Sequence, residues 1–458
     1  MIISVDKSKA CGTVFAPPSK SYTHRAIAIA ALSSSNLTIR HPLISADTKS
    51  SIRAATAMGA VIDCVRQATE AGGDAASMCT SPVSELRVIG GYPKTPDNVI
   101  DVANSGTTLR IMSAVSALCE GTTIFTGDES IRTRPNGPLL KALCELGGDA
   151  FSTRDNGCAP LVIKGGLKGG EVTISGSISS QFISALLIAC PLAEKDTVIT
   201  VDGVLKSRPY VDITLDMLHD AGISITVEED PVKPNTDIRF IISGNQTVKM
   251  RDYTVPGDFS SASYLLAAAA VTGSHLMVHN LFPSQQGDAA IIEILKNMGA
   301  DIAWDKDNGT VAIKGGNLRG IVVDVSRTPD LVPTIAILAA VSEGITIIEN
   351  AEHVRYKETD RLHAMTVELT KMGANITEEQ DRLIITGCKL HGAALHGWDD
   401  HRIVMALTVA GMCTGGVTID TAESVAISFP DFVETMQGIG AGITYVQNIG
   451  VKAKSHLI

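Results

Sequence analysis

Residues 17–25 read Pro-Pro-Ser-Lys-Ser-Tyr-Thr-His-Arg and run directly into the apolar stretch Ala26–Leu32. The prolines hold the entry extended, Ser19 or Ser21 is placed to cap, and the stretch continues as a helix. Lys20 and Arg25 then lie near the helix start, where free N–H groups and the macrodipole attract an anion. That is the chemistry of a phosphate or carboxylate pocket, and the device recurs along the chain. Asn104-Ser105-Gly106-Thr107-Thr108-Leu109-Arg110 offers hydroxyls and N–H groups ahead of Ile111–Leu118, and Gly106 permits close backbone approach. Arg134 follows in the turn-rich stretch Ile131–Pro138. Ser179-Ser180-Gln181 leads into Phe182–Leu192, and Ser207-Arg208-Pro209-Tyr210 into Val211–Leu218.

The second half is denser. Arg355-Tyr356-Lys357-Glu358-Thr359-Asp360-Arg361 packs three cations and two carboxylates into seven residues ahead of Leu362–Met372. On a helix, Lys357 and Arg361 would stack at i,i+4 as like charges, which is unfavourable unless an anion lies between them. Asp399-Asp400-His401-Arg402 opens the apolar helix Ile403–Ala410. A metal site is disfavoured, since His391, His396 and His401 are spaced by five and share no helical face. Asp330, in Arg327-Thr328-Pro329-Asp330-Leu331-Val332-Pro333, stands at the entry to an apolar helix. It is either an ordinary N-cap or, partly desolvated among cations, a general base.

These residues must be positioned by a repeated framework. A helical pattern, a Gly-Ala or Ala-Gly turn and a strand recur around Gly59, Gly147, Gly222, Gly299, Gly373 and Gly440, roughly 65 to 90 residues apart. Each glycine suits a helix C′ position feeding the next strand. A second element, an apolar helix followed by a Gly turn and a Thr/Val/Ile strand, appears at Ser261–Met277, Thr334–Ile348 and Ile403–Ile419. Six copies predict an internally repeated α/β protein. No G-x-G-x-x-G follows the first strand and no Walker sequence occurs, which removes the usual nucleotide folds. A seam near Asn235–Asp252 divides the six units three and three, as two similar lobes around a cleft.

Composition limits the function classes. The chain has 458 residues, 45% apolar and 4% aromatic, so its cores are aliphatic. A formal net charge of −11 argues against a general nucleic-acid or membrane-surface binder, so any anion site must be a local cationic cluster. Nine scattered cysteines without C-x-x-C fit reduced thiols in a cytoplasmic protein. The opening MIISVDKSKACGTV alternates like a strand and lacks the apolar core of a signal peptide. The apolar runs Tyr264–Val271 and Leu331–Val341 are too short to span a bilayer.

Together, PPSKSYTHRA, NSGTTLR, RTRPNGPLL, SSQFISALL, SRPYVDITL, VPGDFSSASY, KETDRL and DDHR resemble, in order and over nearly the full length, the 5-enolpyruvylshikimate-3-phosphate synthase family of enolpyruvyl transferases. The resemblance implies an α/β (α+β) fold of two lobes. Each holds three β-α-β-α-β-β units in an inside-out, barrel-like arrangement, with helix N-termini pointing into the cleft. The N-terminal strand joins the C-terminal lobe, so the lobes are 1–21 plus 245–458 and 22–244. The implied reaction moves the enolpyruvyl group of phosphoenolpyruvate to the 5-hydroxyl of shikimate 3-phosphate, on the route to chorismate and aromatic amino acids. By position, Lys20, Ser21, Arg25, Ser179, Ser180, Gln181, Ser207, Asp330 and Lys357 look like the shikimate 3-phosphate site, with Tyr210 lining it. Lys20, Gly106, Arg134, Gln181, Glu358, Arg361 and Arg402 look like the phosphoenolpyruvate site. Asp330 matches the base, and Glu358, with Lys20, the acid. Asp47 and Asn104 fall on motif positions without an assigned role. No metal or organic cofactor is implied, and a cytoplasmic monomer is expected.

One position departs from the family pattern. Ile427 stands where members often carry Lys, and Lys452 or Lys454 are the substitutes at hand. His353 also occupies a variable position. The sister transferase that uses UDP-N-acetylglucosamine is the nearest alternative. Its mobile loop carries a reactive Cys five residues before Arg-Pro, whereas Glu129 stands there in this chain. A non-catalytic repeat scaffold would not need acids among cations at so many helix starts.

Overall fold

The computed structural model describes residues 1–66 and 83–446, so Lys452 and Lys454 lie outside the described residues. Among the described residues six four-stranded sheets share one plan. In the third, Gly170–Ser175 pairs in parallel with Thr197–Asp202, which runs antiparallel to Arg239–Ile242, itself antiparallel to Ile225–Glu228. The helices Ser180–Ala189 and Arg208–Asp220 make the two helical connections of this unit. Parallel pairing needs such a crossover, whereas the final antiparallel pair needs only a loop. Alternation along Thr197–Asp202 buries Thr197, Ile199 and Val201 on one face, so each sheet covers a core with the other face outward.

The repeated glycines explain the period. Gly59, Gly147, Gly222, Gly299, Gly373 and Gly440 all adopt positive φ, between 81° and 104°, just past a helix end. A side chain there would strain the turn that returns each helix to its sheet.

Two aliphatic cores result. One draws on residues 22–255, including Val248, Met250 and Val255; the other on residues 3–16 and 259–443. Ile3–Asp6 pairs antiparallel with both Val417–Ile419 and Gly442–Tyr445, and Gly12–Phe15 pairs in parallel with His275–His279. Tyr253–Thr254 instead extends the sheet of Asn36–Arg40. The chain therefore passes between the lobes twice, and the two passages touch at the bridge Pro18↔Gly257.

The helices Phe259–Val271, Val332–Val341 and His401–Thr414 are buried nearly all round. Helices with no polar face must be enclosed, so they pack inside while the sheets form the outer layer. Among the described residues no helix is long and apolar enough to cross a membrane.

Candidate active site

Between the lobes lies a cavity of about 920 Å³, its open mouth included. Helix starts supply its walls. Lys20 and Ser21 open Lys20–Ala31, Gly106 and Thr107 open Gly106–Ser116, and Ser180 and Gln181 open Ser180–Ala189. Ser207 is the N-cap residue of Arg208–Asp220, held in the left-handed region at φ 56°, and its N–H donates across the cleft to the Ser326 carbonyl at 2.8 Å. A non-glycine residue there is strained and persists only where its surroundings hold it. From the opposite lobe, Arg361 opens Arg361–Lys371, Arg402 lies in the first turn of His401–Thr414, and Asp330 lies in the 3-10 turn Pro329–Leu331. Positive helix ends from both lobes thus converge on one space.

Every candidate binding and catalytic residue named from sequence lines this cavity: Lys20, Ser21, Arg25, Gly106, Arg134, Ser179, Ser180, Gln181, Ser207, Asp330, Lys357, Glu358, Arg361 and Arg402. Asp47 and Tyr210 line it too, and Asn104 reaches it through its hydrogen bond with Arg134. Ile427, in the 3-10 helix Ala422–Ile427, is not among the lining residues.

The cations fall into two kinds. Arg25 is 2% exposed and its partners are uncharged: Thr214 Oγ1 at 2.7 Å, the Tyr210 carbonyl at 2.8 Å, the Ser21 carbonyl at 3.0 Å and Ser184 Oγ at 3.1 Å. Arg110 donates to Gln181 Oε1 at 2.6 Å and Asn136 Oδ1 at 3.3 Å, and lies over the Phe182 ring. Arg134 donates to Asn104 Oδ1 at 3.0 Å and to Ser130 Oγ. Burial pulls the Arg25 guanidinium down to about 10, and burial with the neighbouring Arg134 pulls Arg110 down to about 9. Buried cations held only by neutral groups favour an anion arriving between them.

The second kind is bound to carboxylates. Asp330 Oδ1 meets Arg361 Nη1 at 3.0 Å and Lys357 Nζ at 3.6 Å, and its Oδ2 meets Arg402 Nη2 at 2.8 Å. Arg361 also holds Glu358 at 2.6 Å and, through Nε, Asp400 at 2.7 Å. Burial raises the Asp330 carboxyl, but Arg402, Lys357 and Arg361 outweigh it and hold it well below the usual range. Glu358 behaves alike, with Arg361 and Arg134 overcoming burial. Asp47 differs: burial raises it despite Lys20, whose Nζ lies 3.1 Å away.

Two local expectations change. Lys357 and Arg361 do not share a helical face, because Glu352–Tyr356 is a 3-10 turn, Lys357 is extended and the helix begins at Arg361. The anion between the two cations is Asp330, brought from another element. Asp330 makes no capping bond, so it is not an ordinary N-cap. Asn104, left without a role by its motif, orients Arg134 while its amide donates to Asp128 at 2.6 Å.

Thr107 and Arg110, legible in sequence only as part of the anion-binding stretch 104–110, also line the cavity, as do Tyr356 and His353, which carried no assigned role. The signal for Arg110 was its i+4 position from Gly106, which sets both on one helix face. Both ring nitrogens of His353 lack hydrogen-bond partners among the described residues, and burial with the nearby Lys357 lowers it to about 3.

Comparison with known proteins places this arrangement. A family model described as EPSP synthase (3-phosphoshikimate 1-carboxyvinyltransferase) matches residues 5–436. The 3-phosphoshikimate 1-carboxyvinyltransferase of Methanococcoides burtonii is 58% identical over 443 residues, covering 97% of this chain and 99% of its own. That of Methanosarcina acetivorans is 56% identical over 451 residues, with 97% and 99% covered. A solved EPSP synthase from Acinetobacter baumannii superposes with a TM-score of 0.78 at 28% identity, covering 97% of this chain and 100% of that one.

Proposed function

The chain belongs to the EPSP synthase (3-phosphoshikimate 1-carboxyvinyltransferase) family, and on that premise we propose how its cleft carries out the transfer. The reaction joins the enolpyruvyl group of phosphoenolpyruvate to the 5-hydroxyl of shikimate 3-phosphate and releases phosphate. Each substrate carries a carboxylate and a phosphate. The observation that supports the assignment of roles is the set of buried arginines, Arg25, Arg110 and Arg134, whose hydrogen-bond partners are all neutral groups.

In this reading Lys20, Ser21, Arg25, Ser179, Ser180, Gln181, Ser207, Asp330 and Lys357 hold shikimate 3-phosphate. Lys20, Gly106, Arg134, Gln181, Glu358, Arg361 and Arg402 hold phosphoenolpyruvate. Asp330 takes the proton of the 5-hydroxyl as its oxygen bonds to the enolpyruvyl carbon, and Glu358, with Lys20, delivers a proton to the methylene. Both carboxylates are held ionised by cations, so incoming phosphate and carboxylate groups must offset those cations before Glu358 carries a proton. The arginines then stabilise the charge that develops until phosphate leaves.

The same reading divides the chain into lobes 1–21 plus 245–458 and 22–244, with residues 245–255 packed on the latter's core. It also makes the protein a cytoplasmic monomer. The two lobes close around the doubly anionic ligands, because the ligands bind the closed form better than the open one. Small-angle scattering should show compaction when both ligands, or shikimate 3-phosphate with an unreactive phosphoenolpyruvate analogue, are added. An unchanged radius of gyration would remove the hinge. Turnover with UDP-N-acetylglucosamine but not shikimate 3-phosphate would reverse the acceptor.

Gly106 tests the smaller substrate's seat. A Cβ there would lie 3.0 Å from Arg134 Nη1 and 3.6 Å from Arg110 Nη1. Gly106→Ala should displace the Arg134 guanidinium and raise KM for phosphoenolpyruvate about tenfold, roughly 1.4 kcal/mol. KM for shikimate 3-phosphate should stay unchanged, and an equal rise for both would misplace the seat.

A further inference from the structure

The carboxyl of Asp288 is buried behind Tyr210, a residue of the cleft wall, and no step of the transfer uses it. It lies in the 3-10 turn Gly287–Ala290 and is 3% exposed. Its Oδ2 accepts a short hydrogen bond from Ser260 Oγ and lies 3.3 Å from Tyr210 Oη. The same phenol oxygen is 3.0 Å from Asp330 Oδ2. Tyr210 comes from one lobe, on Arg208–Asp220, and both carboxyls from the other. The approach is tight: a Cβ on Gly287 would meet Pro209 Cγ at 2.7 Å and the Arg327 carbonyl at 2.8 Å. Only glycine lets Pro209, and with it Tyr210, sit so close to Asp288.

A phenol has one proton, so Tyr210 can donate to one carboxylate and accept from the other only when that one is protonated. The trio is therefore matched to holding one proton beyond Tyr210's own. The groups facing Asp288 are Tyr210, Asp330, Ser260, Asp258 at the start of Phe259–Val271, and Arg402 from His401–Thr414. Burial, then the charge of Asp330, pushes Asp288 up to about 7, whereas cations hold Asp330 well below the usual range. A proton on Asp330 therefore runs downhill to Asp288. Asp288 Oδ1 is buried without a hydrogen-bond partner among the described residues, which costs less on a neutral carboxyl than on an ionised one.

Resting on the reading of Asp330 as base, we propose that Asp288 is the proton store of the reaction, filled from Asp330 through the Tyr210 hydroxyl. The acceptor O–H bond breaks as its oxygen bonds to the enolpyruvyl carbon, and the proton goes to Asp330. Asp330 passes it to Tyr210 Oη while Tyr210's own proton moves to Asp288 Oδ2. The phenol stays neutral, Asp330 regains its carboxylate for the next step, and Asp288 keeps the proton until the lobes part and water takes it.

The test measures kcat and KM for the full chain, Asp288→Asn and Tyr210→Phe between about pH 5.5 and 9, with Asp330→Asn alongside. Wild-type kcat should fall on the acid side as Asp288 fills and the store is closed. Asp288→Asn, with no acceptor, should be roughly 10- to 100-fold slower at about pH 8 and flat where wild type declines, with both KM values unchanged. Tyr210→Phe should lose the same limb, and it carries the test alone if Asp288→Asn does not fold. Wild-type kcat in Asp288→Asn overturns the proposal, as does a slower variant that keeps the acid limb, which would mark a packing role. Turnover retained by Asp330→Asn would instead overturn the base assignment, whatever Asp288 shows.

Discussion

Asp330→Asn should lower kcat by a factor of roughly 10² to 10⁴, the range for losing a positioned general base. Substrate binding should survive the change. The amide keeps the shape of the carboxylate but removes the charge that neutralises Lys357, Arg361 and Arg402. Those cations are then freer to face a phosphate or carboxylate, so calorimetry should find shikimate 3-phosphate bound at least as tightly as by wild type. Loss of turnover with binding kept separates chemistry from affinity. Near-normal turnover would show that another group takes the proton. A large loss of binding would show that the contact Asp330 makes with the acceptor outweighs the cations its charge would otherwise neutralise.

Arg361→Ala should have the largest effect on stability. The guanidinium is 1% exposed and joins Asp400, which is fully buried, to Glu358 and Asp330. Asp400 raises the Arg361 proton affinity most, against burial, with Glu358 and Asp330 adding to it. Removing one member of a buried ion pair leaves the other uncompensated, at a cost of about 3–5 kcal/mol. Denaturant unfolding should report that loss as a lower midpoint for the C-terminal lobe. Arg361→Lys should recover only part of it, because an ammonium cannot present a planar fork to three carboxylates. The sign with pH follows from the depressed carboxyls of Asp330 and Glu358. Their contribution is complete above the unfolded carboxyl value and is lost as pH falls through the folded values. Acid should therefore narrow the gap between wild type and Arg361→Ala. A gap that persisted unchanged would place the loss in packing rather than charge.

How much of this was legible in sequence differs by scale. The sixfold repeat was readable because each turn needs a positive φ that glycine adopts without strain, so Gly59 through Gly440 mark it locally. The anion-binding helix starts were readable too, since capping residues and cations are close along the chain at Lys20–Arg25 and Asn104–Arg110. The partners of Asp330 were not. Arg361 lies 31 residues on and Arg402 72 residues on, and nothing in the intervening sequence records their meeting. The same limit made Lys357 and Arg361 look like a helical pair, when an aspartate from a separate turn lies between them. Asp288 carried no signal at all, because its neighbours Ser260, Tyr210 and Asp330 come from three other elements and two lobes.

The placement of the first strand has a consequence for biosynthesis. Ile3–Asp6 is translated long before its partners Val417–Ile419 and Gly442–Tyr445. The core of residues 22–255 is complete once that segment has emerged, so this half can fold while translation continues. The other half must keep the strand Ile3–Asp6 unpaired until those partners are made, and closing so long a loop is slow. The nascent protein thus carries an unpaired strand until those partners emerge, and of the two halves the one that supplies Asp330, Glu358 and Arg402 becomes whole second.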